Sequence, residues 1–121
     1  MSSNVITVGN NRVAIVFLGE VEQGLEQEGK HLHCSDIEEI ATRKVLRLCP
    51  DNQGFLTEVL KSVKDFVLRL NKKVYLLVRD SSGGFVIRII RPAKGGGVEM
   101  KKGEFTNPLF SPGDRFLFLC S

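Results

Sequence analysis

Between Phe55 and Leu70 the apolar residues Phe55, Leu56, Val59, Leu60, Val63, Phe66, Val67 and Leu70 recur at steps of one, three and four. A 3.6-residue period gathers them into one stripe along about four turns of helix. The opposite side carries Glu58, Lys61, Lys64, Asp65 and Arg69. Such a helix draws most of its stability from packing its apolar face, so this stripe must lie on a hydrophobic layer, and that need constrains the chain more than any other feature. The flanking sequence supplies the layer. Val74–Arg79 and Phe85–Arg91 read as strands joined by Asp80, Ser81, Ser82, Gly83 and Gly84, a connection of ordinary hairpin length. In the second strand Phe85, Ile87 and Ile89 alternate with Val86, Arg88 and Ile90, which leaves one face mostly dry and puts a cation on the other.

Asn4 to Val8 and Arg12 to Leu18 are rich in β-branched residues, and the Gly9-Asn10-Asn11 between them tolerates the positive φ of a tight turn, so a β-hairpin is expected. Glu20 to Lys30 mixes two glycines with charges of both signs and has no sustained period, the pattern of a loop. Ser35 and Glu38 have the spacing of a capping box, and Ile37, Ile40 and Ala41 continue it at helical spacing toward Arg43, Lys44 and Arg47, with Pro50 as the stop. Val45 to Cys49 alternates well enough to be a short strand instead. Pro112 and Gly113 lead into Arg115 to Cys120, which is apolar on both faces and therefore interior to the sheet. Helices grouped between runs of strands predict an α+β domain, residues 1–121, with an antiparallel or mixed sheet of about five to six strands and both helices on one face.

A chain of 121 residues fits a single core. Its longest uncharged apolar run, Val13 to Leu18, is too short for a membrane-spanning helix, so no membrane partner is expected. The opening MSSNVITV lacks the pattern of a secretory signal, and the three cysteines Cys34, Cys49 and Cys120 have no CxxC spacing. Both features suit a cytoplasmic protein, or one made inside a host cell, with reduced thiols. The net charge is only +3, yet residues 72–103 hold eight Lys or Arg against Asp80 and Glu99, while seven acids lie between Glu20 and Glu39. The molecule is electrically lopsided.

Three segments invite a chemical reading. In Arg91–Glu104 the glycines Gly95, Gly96 and Gly97 are followed by Val98, Glu99 and Met100 rather than by Lys-Ser/Thr and a helix, so the spacing of a phosphate-binding P-loop is not met. A turn between strands accounts for the glycines. His31, His33 and Cys34 are the residue types of a zinc site, and the two histidines are also the only general-base candidates near neutral pH. Only Cys49, Cys120 and carboxylates are left to complete a tetrahedral set, and a thiol nucleophile beside histidines this close in sequence lacks natural geometry. No catalytic residue, metal or cofactor is therefore expected, and an enzyme centred on this trio is the least favoured class. The basic residues Lys72, Lys73, Arg88, Arg91, Lys94, Lys101 and Lys102 are candidates for binding the phosphates of RNA or single-stranded DNA, although aromatic stacking platforms do not accompany them.

Leu109 to Ser121, LFSPGDRFLFLCS, resembles the segment of metal-dependent protein phosphatases in which a Pro-Gly-Asp-Arg turn launches a strand ending in Cys-Ser. In that family an aspartate that binds metal follows at once, and the resemblance would imply such chemistry. It covers about thirteen of the 121 residues, and the family's earlier Asp-Gly and Gly-His motifs have no counterpart, so no family is assigned. The reading that remains is a small accessory protein that works through protein contacts. A homodimer is expected, because short apolar strands in a small sheet leave edges in need of cover.

Overall fold

The computed structural model describes residues 4–17, 33–103, 110 and 114–120. Within these described residues, seven strands and two helices follow in the order β1 (Asn4–Val8), β2 (Asn11–Phe17), α1 (Cys34–Arg43), β3 (Leu46–Arg47), α2 (Gln53–Leu70), β4 (Val74–Arg79), β5 (Phe85–Pro92), β6 (Val98–Lys102) and β7 (Arg115–Cys120). They form an α+β fold around one mixed sheet of order β1-β2-β7-β4-β5-β6, with β3 attached to β7 off that path. β7 is interior, as its two apolar faces require: it pairs antiparallel with β2 and parallel with β4. Its pairing with β4 ends at Leu76↔Leu117, and β3 takes over opposite Leu119 and Cys120. The buried Cys49 thiol donates to the Leu117 carbonyl (3.7 Å) at this split, a weak bond for a group that the ladder has released. Burial, and secondarily the charge of Cys120, push that thiol up to about 12.

The two helices lie on opposite faces of the sheet, not together on one. Leu56, Val59, Val63 and Val67 of α2 pack on Val13, Ile15, Val74, Leu76, Ile90, Leu117 and Leu119, an aliphatic core. Ile37 and Ala41 of α1 pack on the alternate residues, among them Ala14, Val16, Tyr75, Leu77, Phe116 and Phe118. Strands such as β4 and β7, which are apolar on both faces apart from one terminal arginine each, need cover on both sides, and one helix covers only one. The sheet curls toward α2, which reaches both marginal strands, β1 and β6.

Local chemistry sets the ends of each helix. Asn52 caps α2 by accepting from the Phe55 amide (3.0 Å), and Asn71 closes it in the left-handed region at φ 54°, its N–H bonded to the Val67 carbonyl (2.8 Å). The expected Ser35–Glu38 box does not form. Cap formation instead begins at His33, whose amide donates to Asp36 (3.0 Å), and Glu38 turns away to a fork-like pair with Arg79 (3.1 and 2.6 Å). α1 stops at Arg43, well before Pro50, because Val45 takes a positive φ of 60° and starts the chain into β3. The short strand is thus the alternative that the structure adopts over residues 46–47.

The turns follow the residue types. Asp80 accepts from the Ser82 amide and hydroxyl and from the Gly84 amide, which holds its carboxyl below the usual range and explains the DSSGG sequence structurally. The glycine run is likewise a hairpin turn: Ala93 N–H bonds to the Gly97 carbonyl (3.0 Å), with Gly96 and Gly97 at φ 96° and 74°. Val98–Lys102, just beyond the glycine turn, is strand β6, whose Val98 and Met100 face α2. Leu18 of the expected hairpin and the whole expected loop from Glu20 to Lys30 lie outside the described residues.

Candidate interaction surfaces

The two marginal strands, each paired on one side only among the described residues, differ in how they guard the other side. β6 reads VEMKK, with Glu99, Lys101 and Lys102 in place to repel an incoming strand, whereas β1 reads NVITV and has no charge, proline or bulge. Gly9 at φ 60° starts the two-residue turn that closes on Val8↔Asn11, and Asn10 lacks a positive φ, the sign pattern of a type II′ hairpin. Counting back from that hydrogen-bonded closing pair, Val8, Ile6 and Asn4 bond inward to β2. The N–H and C=O groups of Val5 and Thr7 consequently point away from the sheet. Their side chains lie on the α1 side, where Val5 keeps 45% of its surface exposed.

The basic residues singled out in the sequence separate into three groups. Lys72, Lys73 and Arg91 converge with Tyr75, Asp114 and Arg115 on an open cavity of about 500 Å³ where β4 and β7 begin and β5 ends. Arg88 and Lys102 form a cross-strand pair directed toward the α2 side, and Arg88 is engaged by Asp51 (3.1 Å) ahead of α2. Lys101 lies 3.8 Å from Glu99, and Lys94 is exposed in the β5–β6 turn. These cations do not make one stripe.

Within the cavity the cations are held in distinct ways. Lys73 Nζ stands 5.9 Å from the centre of the Tyr75 ring, close enough for a cation–π attraction. Tyr75 is itself fixed by Phe110 and Phe116 at ring-centre distances of 5.3 and 5.4 Å. Arg91 donates through Nε to Glu99 (2.7 Å), and that bond is the principal reason the Glu99 carboxyl is held below its usual value. Arg115 is 9% exposed, at the entry to the most buried strand. The sequence pattern places Arg115 at the start of the last strand and Tyr75 within the strand Val74–Arg79, and no local pattern connects residues 72, 91 and 115.

His31 lies outside the described residues, and His33 is an exposed helix cap beside Cys34, whose thiol is raised chiefly by burial. Among the described residues no group of three His, Cys, Asp or Glu is placed to share a metal ion, and no helix is long and apolar enough to cross a membrane. Comparison of the chain with protein-family models, with curated proteins and with solved structures found no match.

Proposed function

We propose that the chain is a non-catalytic accessory protein that acts through protein contacts and pairs with a second copy of itself along β1. The β1 edge, uncharged and with no pairing on its outer side among the described residues, carries this reading. An antiparallel two-fold arrangement that places Ile6 opposite Ile6 of the second copy sets Val5 opposite Thr7, and the outward N–H and C=O groups of those two residues then complete a ladder across both sheets. No charge is buried by it. Cysteines that remain free thiols suit the reducing interior of a cell, the setting we assign to the protein.

Light scattering over a concentration series tests the pairing. We expect a mass that rises from one chain to two. Val5→Lys combined with Thr7→Lys sets like charges directly across the junction and should return the protein to monomer, while Val5→Lys combined with Thr7→Glu sets opposite charges there and should restore the dimer. A wild-type protein that stays monomeric at every concentration sinks the proposal, as does a like-charge variant that still dimerises.

A second reading, RNA or single-stranded DNA binding by residues 72–102, has narrower support, namely the cations gathered at the cavity. The division of the remaining basic residues between two faces and the burial of Tyr75 both count against a strand tracked along the sheet.

A further inference from the structure

We infer that the cavity between the starts of β4 and β7 and the end of β5 is a binding site for a compact polyphosphate group, carried by a small ligand or by the 5′ end of a nucleic acid. The inference does not depend on self-pairing, since β2 and β7 separate β1 from β4, which Lys73 precedes, and from β5, which bears Arg91.

The first ground is charge. Among the described residues four cations, Lys72, Lys73, Arg91 and Arg115, reach this space from three separate parts of the chain, against one acid in the lining, Asp114. Of these cations, Arg91 is paired with Glu99 (2.7 Å). Lys72 and Lys73 have no carboxylate within ion-pair distance among the described residues. Gathering like charges around one cavity is unfavourable unless a counter-charge visits, and its positive field concentrates anions there.

The second ground is the variety of donors. Lysines at 72 and 73 supply mobile point charges with three N–H groups each, and Arg91, committed to Glu99 through Nε, retains its two terminal nitrogens as a fork suited to phosphate oxygens. Tyr75 forms a rigid floor, because its ring is fixed by Phe110 and Phe116. The 500 Å³ cavity is open to solvent, and the cations meet around it rather than along a strip. Such an arrangement fits two or three adjacent phosphates better than a run of phosphodiesters, which would need charges spaced along a path.

Isothermal titration of the full chain at low ionic strength, first with sodium pyrophosphate, tests the site. Saturable binding with one ligand per chain is expected. Lys72→Gln with Lys73→Gln should weaken it by about tenfold or more, the loss of charge-assisted bonds. Lys61→Gln with Lys64→Gln removes the same charge from the exposed side of α2 and should leave the affinity within about twofold of wild type. Arg91→Gln provides a second lesion in the site. Adenosine triphosphate that competes with pyrophosphate, while 5′-triphosphorylated and 5′-hydroxyl oligonucleotides bind alike, assigns the site to a small ligand. An oligonucleotide that competes only when it carries the 5′-triphosphate assigns it to a nucleic-acid end. Absence of saturable binding to every probe overturns the inference, and so does equal weakening by the two lysine pairs, which would reduce the effect to net charge.

Discussion

The two faces of the sheet are closed by different means. On one, an 18-residue helix lays four fully buried aliphatic residues across strands that bend toward it. On the other, a 10-residue helix contributes mainly Ile37 and Ala41, and the layer is completed by aromatic rings: Phe116 lies 4.9 Å from Phe110, 5.4 Å from Tyr75 and 6.1 Å from Phe118, centre to centre. The long helix covers its face from margin to margin. The short one is tied by Glu38 to Arg79 at the end of β4, and the cationic cavity opens at the other end of that same strand. A face sealed by rings instead of a helix leaves backbone ends and strand termini accessible, and binding residues can collect there without disturbing the core.

If the aromatic face contributes as much as the helical one, truncating its centre should cost at least as much as truncating the helix. Phe116→Ala removes a fully buried ring and should lower stability by about 3–5 kcal/mol, while Leu56→Ala on the α2 side should cost about 2–5 kcal/mol. Urea unfolding with unchanged slope gives both numbers. A Phe116→Ala loss well below that of Leu56→Ala would mean that the second face is a loose cover, and the comparison would fail.

The helices also end differently. Asn71 closes α2 in the left-handed region that asparagine tolerates, whereas Val45 does so just after α1 with a β-branched side chain, 70% of it exposed. Val45→Gly should therefore stabilise the protein by about 1 kcal/mol, and Asn71→Gly should change it by no more than a few tenths. Thermal unfolding of the two variants side by side is sufficient. A destabilised Val45→Gly would show that the exposed side chain contributes more through its contacts than the backbone conformation costs.

What could be read in advance follows the same division. The α2 stripe, the β1–β2 and β4–β5 hairpins and the interior position of β7 rest on periods and turn residues that act locally, and they were legible. The opposite placement of the helices was implicit in the double-sided apolarity of Arg115–Cys120, since a second buried face needs its own cover; the expectation of a single covered face overlooked it. β6 was hidden because its alternation, Val98 and Met100 against Glu99 and Lys101, sits beside a glycine run that reads as loop. The α1 cap went to His33 because Arg79, 41 residues away, draws Glu38 out of the expected box. The cavity depends on residues 73, 91 and 115 that meet only when β4 lies between β5 and β7, and no local pattern encodes that meeting.

The smallest effect concerns the ion pair at the rim of the cavity. Arg91 holds the Glu99 carboxyl below its ordinary value of 4.5, so the folded state binds this proton less tightly than the unfolded chain does. The corresponding stability is present above the ordinary value and fades as pH falls through the lower, folded one. Glu99→Gln should flatten that acid-side decline in a pH series of unfolding curves, by little, because the pair is solvent-exposed. The same variant also releases Arg91 Nε and removes the negative charge paired with Arg91, so pyrophosphate should bind more tightly by a factor of about two to five at neutral pH. Weaker binding would mean that Glu99 serves the site by positioning the guanidinium, and the rim would then be a constructed part of the cavity instead of a competing anion at its edge.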